Sequence, residues 1–435
     1  MKAKGIWASL LCCIMVLCSL PLASATEPEP VTITFFSDNP DRSVKEGQIE
    51  DYCIEEYMKA YPHVTIKKEI LENSVYKQKF MAYAASNELP DVMLMYAYPA
   101  FLGPLVESGA IAKLNKDDYA DYAFYPSALD QYTVDGELYG LPRISQVFTV
   151  YYNKKIFAEA GVEIPQTFEE LVEVAKTLRV QGIQPCAVTG KEKWQLLSLM
   201  NNLFIQLVPE YASMVMDLAN RNITFAEVPG FLKAAEKYKE LMDIGFYQDS
   251  FVSADYGTAR NAFIQGQTAM FYMNSTEMGF QAETDLPEEF RENVSCFPFP
   301  VFAESDSKIT DLHGSFAIGY SVANNANAEN AIHFLNFMLD PDMSTKYAWQ
   351  VAGISTAQSM LDYVTGDETQ LQQEVLGMFR NATSLSGTPF YESAAPSFKT
   401  DAQTIVQTLA AGMITPEMFI RQLDEAMDYA AQQSE

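Results

Sequence analysis

From residue 31 onward, short apolar runs of strand length alternate with apolar positions at helical spacing. Residues 31–36 (VTITFF) are β-branched and aromatic and end at Ser37-Asp38-Asn39-Pro40, a cluster of turn and cap formers. Ile49, Cys53, Tyr57 and Tyr61 then repeat every four residues, predicting a helix over about 44–61 that Pro62 stops. A strand over 64–70, a helix around 76–86 and a near-continuous apolar strand in Leu89-Pro90-Asp91-Val92-Met93-Leu94-Met95 follow, the last of a kind buried on both faces. Asp135-Gly136 predicts a hairpin that runs through Pro142 into an extended segment ending at Tyr152. Further helices are expected near 168–179, 194–207, 212–220, 231–244 and 327–339, and a last one with Thr415 as N-cap and Pro416 at its first position. Alternation of this kind predicts an α/β protein.

At 435 residues the chain exceeds one hydrophobic core, so two lobes are expected. The N-terminus reads as a secretory signal over 1–25: Lys2 and Lys4, an apolar run from Ile6 to Leu22, and an A-x-A site at Ala23-Ser24-Ala25. Cys18 follows Val16-Leu17, a poor lipoprotein context, so a soluble secreted form is expected rather than a lipid-anchored one. The formal charge of −28, which becomes −30 without Lys2 and Lys4, repels nucleic acid and anionic lipid and argues against both as partners. Beyond the signal only Cys53, Cys186 and Cys296 remain, an odd and widely spaced set that fits buried small hydrophobes rather than a disulfide framework or a metal knuckle.

Signatures of catalysis are missing. Three histidines (His63, His313, His333) carry no metal-binding spacing, and no G-x-S-x-G elbow or Gly-rich phosphate loop occurs. Among 57 acidic residues a glycosidase pair can always be drawn, which leaves a secreted carbohydrate-active enzyme as an alternative. Tyr151-Tyr152 lies in an apolar strand and fits core packing better than ferric-ion binding. No cofactor is expected.

The segment Tyr151-Tyr152-Asn153-Lys154-Lys155-Ile156-Phe157-Ala158-Glu159-Ala160-Gly161, then Pro165-Gln166-Thr167-Phe168-Glu169-Glu170-Leu171, is locally a strand, a short helix stopped by Gly161, and a second helix capped by Thr167. It resembles the "YYN-x-x-x-F-x-x-A-G … P-x-T-x-x-E-L" pattern of family 1 extracellular solute-binding proteins. The "YP-x-V" and "LPDV" strands, the Phe263 to Tyr272 segment and the strand and helix over 314–339 resemble the same family in order, so the likeness spans about residues 31–360. That resemblance implies a two-lobed periplasmic-binding-protein type II fold, each lobe a mostly parallel sheet flanked by helices. It places residues 26–142 with 295–340 in the N-terminal lobe and 143–294 with 341–435 in the C-terminal lobe. It further implies a monomer that captures a carbohydrate in the inter-lobe cleft by hinge closure and delivers it to the permease subunits of an ABC importer. A glycerophosphodiester or polyamine is the alternative solute, and a sensor module the alternative role.

Position in that pattern selects the candidate ligand contacts. Ser37, Asp38 and Asn39 end the first strand, where they serve as ligand groups or as a helix cap. Tyr96 and Tyr98 follow the "PDVMLM" strand as loop aromatics able to stack on sugar. Arg143, just past the hinge proline, is expected to touch ligand or to bridge the lobes; Ser145 and Gln146 share its segment. Trp194, opening a helix, is expected at the cleft with the core as the alternative. Asn274 and Thr276 stand where the family commonly has Gly and a stacking Trp, a departure that weakens any transfer of maltodextrin specificity. His313 occupies a turn that in relatives faces the cleft from the first lobe. Phe390 and Tyr391 are expected to form a lid or plug a gap, and Trp349 to be core.

Overall fold

The computed structural model describes residues 28–432 apart from positions 44, 126, 383, 386 and 387; the expected signal segment and Cys18 lie outside it. Two sheets organise the chain. The first has the strand order Val64–Ile70, Val31–Ser37, Val92–Tyr96, Ile318–Val322 and Leu141–Pro142. Its first three strands are parallel, with Val31 opposite Val64 and Phe35 opposite Val92; Ile318–Val322 runs antiparallel to Val92–Tyr96. Every residue of Val92–Tyr96 is buried, as its unbroken apolar run requires.

The second sheet has the order Val294–Pro298, Gln146–Asn153, Thr268–Asn274 and Gln184–Ala187. Only the last pair is parallel, so the mostly parallel sheet expected for each lobe is not what this lobe has. The cause is the route of entry. Gln146–Asn153 comes straight from the first lobe, starts at the lobe junction, and therefore runs against Thr268–Asn274, which ends there.

The expected return to the first lobe at residue 295 is also corrected. Val294–Pro298 pairs along its length with Gln146–Asn153, and Phe297, Phe299 and Phe302 are buried in the second lobe's core with Phe168 and Tyr152. The chain crosses back only at Gly314–Ser315 and Ile318–Val322. Residues 343–350, which the resemblance places with 341–435 in the second lobe, join the two instead. Tyr347 stacks on Tyr52 of the first-lobe helix Lys45–Ala60 at 4.1 Å, whereas Trp349 is buried with Phe271 and Phe280.

Local signals hold where they are strongest. Thr167 and Glu170 form a reciprocal capping box at 3.2 Å each, and Gly161 ends Lys154–Ala160 with φ 69°. Asp135 and Gly136 take φ 51° and 83°, the two positive values a type I′ hairpin needs between Thr133–Val134 and Glu137–Leu138. Helices Pro396–Ala410 and Pro416–Gln432 cover the second lobe, Thr415 Oγ1 accepting from Met418 N at 3.3 Å. Cys53, Cys186 and Cys296 are buried free thiols, and Tyr151 and Tyr152 are core residues. Among the described residues no helix is long and apolar enough to cross a membrane.

Candidate ligand-binding cleft

Strands Val31–Ser37 and Val92–Tyr96 end towards the second lobe, and Thr268–Asn274 and Gln184–Ala187 end towards the first. The carboxyl ends of both sheets therefore face one another, the usual place for a ligand in open α/β sheets.

Three of the candidates there are engaged within the first lobe by a residue the sequence reading passed over, Glu50. One Glu50 oxygen accepts from Ser37 Oγ at 2.7 Å, Asn39 Nδ2 at 2.6 Å, Tyr320 OH at 2.7 Å and Arg143 Nη1 at 3.2 Å. Its other oxygen takes the Arg42 guanidinium, which also reaches Asp51. Arg143 Nη2 in turn bonds Asn39 Oδ1 at 3.3 Å. Arg143, on the crossing segment, is thus an ion-pair partner of Glu50 of the first lobe, at 3.2 Å. Behind it Ile49, Ile144, Met338 and Ala348 line a cavity of about 20 Å³, room for one water beside the unpartnered Arg143 Nε.

Asp38 points elsewhere, accepting from Tyr96 OH and from Asn73 Nδ2. Tyr96 is the last residue of its strand and buried, so it is a wall rather than an exposed loop aromatic. Its ring stacks on Tyr98 at 6.1 Å and carries the Lys77 ammonium 4.5 Å above its centre. Among the described residues Lys77 has no ion-pair partner. Desolvation, then repulsion from Lys399 of the second lobe, lowers its pKa to about 8. Tyr98 is half-buried, and burial, then the nearby Glu392 and Tyr391, hold its hydroxyl well above the usual phenol range.

On the opposite side Lys193, with φ 63°, turns the chain into helix Trp194–Leu207. Trp194 is half-buried, its ring 6.3 Å from Phe148. Phe148, also half-buried, stacks on His313 at 4.6 Å and on Tyr272 at 5.4 Å. His313 lies behind this aromatic layer and does not reach the cleft as expected: it is 5% exposed, 3.1 Å from Asn201 Nδ2 and 3.1 Å from Tyr272 OH. Phe390 is fully buried against Phe204 and plugs the core; Tyr391 is buried beside it, with Lys399 paired to Glu392. Trp349 is core, its Nε1 bonded to Glu368 at 3.2 Å.

The hinge candidates divide. Ser145 is buried, and its carbonyl accepts from Ser275 Oγ at 3.1 Å and Ser355 Oγ at 3.2 Å, tying two crossing segments together. Gln146 is half-exposed, with a carboxamide that, like the Trp194 indole N–H, has no hydrogen-bond partner among the described residues. Asn274 is buried and its Oδ1 caps the next turn through Thr276 N at 3.1 Å and Thr276 Oγ1 at 2.6 Å. That side-chain cap leaves Asn274 little to offer a ligand. Tyr98, Gln146 and Trp194 thus keep partly exposed side chains near the facing strand ends, whereas Ser37, Asp38, Asn39, Arg143, Ser145, Asn274 and His313 are engaged in internal contacts.

Burial lowers the His313 pKa to about 3, so the ring is neutral in the fold. The unfolded chain then binds more protons from about pH 3 to 6.5, and stability is lost as pH falls below 6.5, by about 2 kcal/mol at pH 5. His313→Gln is expected to remove that share of acid sensitivity, read as a flatter plot of unfolding free energy against pH.

Two lobes, each with its own sheet and core, face one another across strand ends that carry aromatic faces and unpartnered polar groups; that is the build of a two-lobed binding protein. Residues 42–344 match the model of the bacterial extracellular solute-binding protein family, and the chain belongs to that family. It is 24% identical over 344 residues to a multiple sugar-binding protein of Streptococcus mutans, covering 77% of each chain. In structure it is similar to a chitin oligosaccharide binding protein (TM-score 0.81, 22% identity, 93% of this chain and 99% of that one). A structure from work on xylan utilization by Caldanaerobius polysaccharolyticus gives TM-score 0.80 at 22% identity, over 91% of this chain and 99% of the other.

Proposed function

We propose that this chain captures a carbohydrate between its lobes and presents it to the permease of an ABC importer, as a secreted monomer without a lipid anchor. The observation that carries this reading is the pairing of stacking faces with unused polar groups across the cleft. Tyr98 and Trp194 offer rings to the C–H faces of a sugar, and Gln146, the Trp194 N–H and the Lys77 ammonium offer hydrogen bonds to hydroxyls. Each stacked ring contributes about 0.5–1.5 kcal/mol beyond its buried area. The names of several relatives and neighbours support the class of ligand: multiple sugar-binding protein, maltotriose-binding protein, chitin oligosaccharide binding protein. Binding energy is then used to shift an open–closed equilibrium, and the closed form is what the permease reads.

Fluorescence tests the site. Of the three tryptophans, Trp7 lies in the expected signal and Trp349 is buried, so Trp194 is the one whose surroundings a ligand changes. A saturable emission change with one or more oligosaccharides is expected, lost in Trp194→Phe. No change in the parent protein with any sugar that binds by calorimetry would remove Trp194 from the site.

A further inference from the structure

Helix Asn73–Ser86 carries Lys77 to the wall of the first lobe, where its ammonium sits over the Tyr96 ring. Among the described residues that ammonium donates no hydrogen bond and has no carboxylate within ion-pair distance. A cation withdrawn from water needs a compensating partner, and the fold supplies none. Lys399 of the second lobe repels it, and Glu392, Asp38 and Glu72 attract it. Glu392 is already paired with Lys399, and Asp38 already accepts from Tyr96 and Asn73. Lys399 lies in the first turns of helix Pro396–Ala410, so the amino end of that helix faces Lys77 across the cleft. This end is open. Ala395 provides no side-chain cap, the first turn holds no acidic residue, and Ser397 Oγ is buried without a hydrogen-bond partner. The free N–H groups and the dipole of such a turn favour an anion, and a lysine within it increases the need. The two lobes therefore bring an unanswered ammonium, an uncapped helix end and an unused hydroxyl to the same stretch of the cleft.

We propose that the captured carbohydrate is acidic, its carboxylate seated between the Lys77 ammonium and the amino end of helix Pro396–Ala410. This rests on the carbohydrate reading and narrows it. One negative charge matches one cation without a partner, and the carboxylate oxygens accept from Ser397 Oγ and the first-turn N–H groups as well. A hydroxyl of a neutral sugar would accept one hydrogen bond and leave the charge unanswered. A phosphate fits less well, because Asp38 and Glu392 stand close enough to repel a second negative charge.

The test is calorimetric titration of residues 26–435 with matched ligands. Oligogalacturonides and glucuronate-bearing xylo-oligosaccharides are compared with the same chains after reduction of each carboxyl to an alcohol, and with a hexose phosphate. An acidic chain is expected to bind at least about tenfold tighter than its reduced counterpart, and to lose that margin as salt is raised. Lys77→Met is expected to abolish the margin, Lys77→Arg to keep it, and Ser397→Ala to narrow it about threefold. Affinity of Lys77→Met for the reduced chain within about twofold of the parent would show that the fold and the rest of the cleft are intact. Reduced chains that bind as tightly as acidic ones overturn the proposal and leave carbohydrate capture standing. Tighter binding of the hexose phosphate than of any carboxylate overturns the assignment of the anion. Heat from no sugar of either kind overturns capture and proposal together.

Discussion

Replacing Glu50 by leucine should lower the unfolding free energy of the first lobe by about 3–5 kcal/mol, the range for removing one partner of a buried ion pair. The reason is the number of groups that share this carboxylate. Without it the buried Arg143 guanidinium keeps only Tyr320 and Asn39, Ser37 Oγ loses its acceptor, and Arg42 retains Asp51 and the Asn39 carbonyl. Glu50→Gln keeps an acceptor oxygen and should cost less, about 1–3 kcal/mol. Urea unfolding followed by far-UV circular dichroism measures both. A Glu50→Leu change below about 1 kcal/mol would contradict the hub.

Replacing Lys77 by methionine should weaken ligand binding by about 1.5–3 kcal/mol, the value of a hydrogen bond from a charged donor. The pH profile gives the same group a signature. Lys77 titrates near 8 in the free protein. A ligand oxygen that accepts from the ammonium raises that pKa in the complex, so affinity is at its full value below pH 8 and is lost as pH rises through 8 towards the bound-state value. About a sevenfold loss is expected between pH 7 and 9.5 in calorimetric titrations, from a one-unit rise in the bound state. Lys77→Met should give a flat profile. A parent profile equally flat would take Lys77 out of the site.

What was legible in the sequence is what local chemistry decides. Thr167 with Glu170, Gly161, Asp135-Gly136 and Thr415-Pro416 each mark a cap or turn within a few residues, and the structure has them where the pattern put them. Strand direction was not legible in this way. The mixed second sheet depends on which end of Gln146–Asn153 meets the hinge, a matter of tertiary path rather than composition.

Glu50 was hidden among 57 acids, yet a signal existed. It stands three and four residues before Cys53 and Ile54 and seven before Tyr57, all buried, so it sits in the helix's apolar stripe. A carboxylate in such a stripe needs a cation, and Arg143 was already under consideration for a different job. Lys77 had no comparable signal, because it gains its meaning only when the lobes face each other. His313 misled through its neighbours: the turn does lie near the crossing strand, but the ring packs behind Phe148 instead of in front of it.

Capture of a carbohydrate is tested most directly by calorimetric titration of residues 26–435 with a panel of mono- and oligosaccharides, including xylan- and chitin-derived chains. Saturable binding of one sugar class, with the sugar recovered unchanged and the affinity cut by Trp194→Ala, is the predicted result. Binding of a polyamine or a glycerophosphodiester with no heat from any sugar would contradict it and leave only the fold.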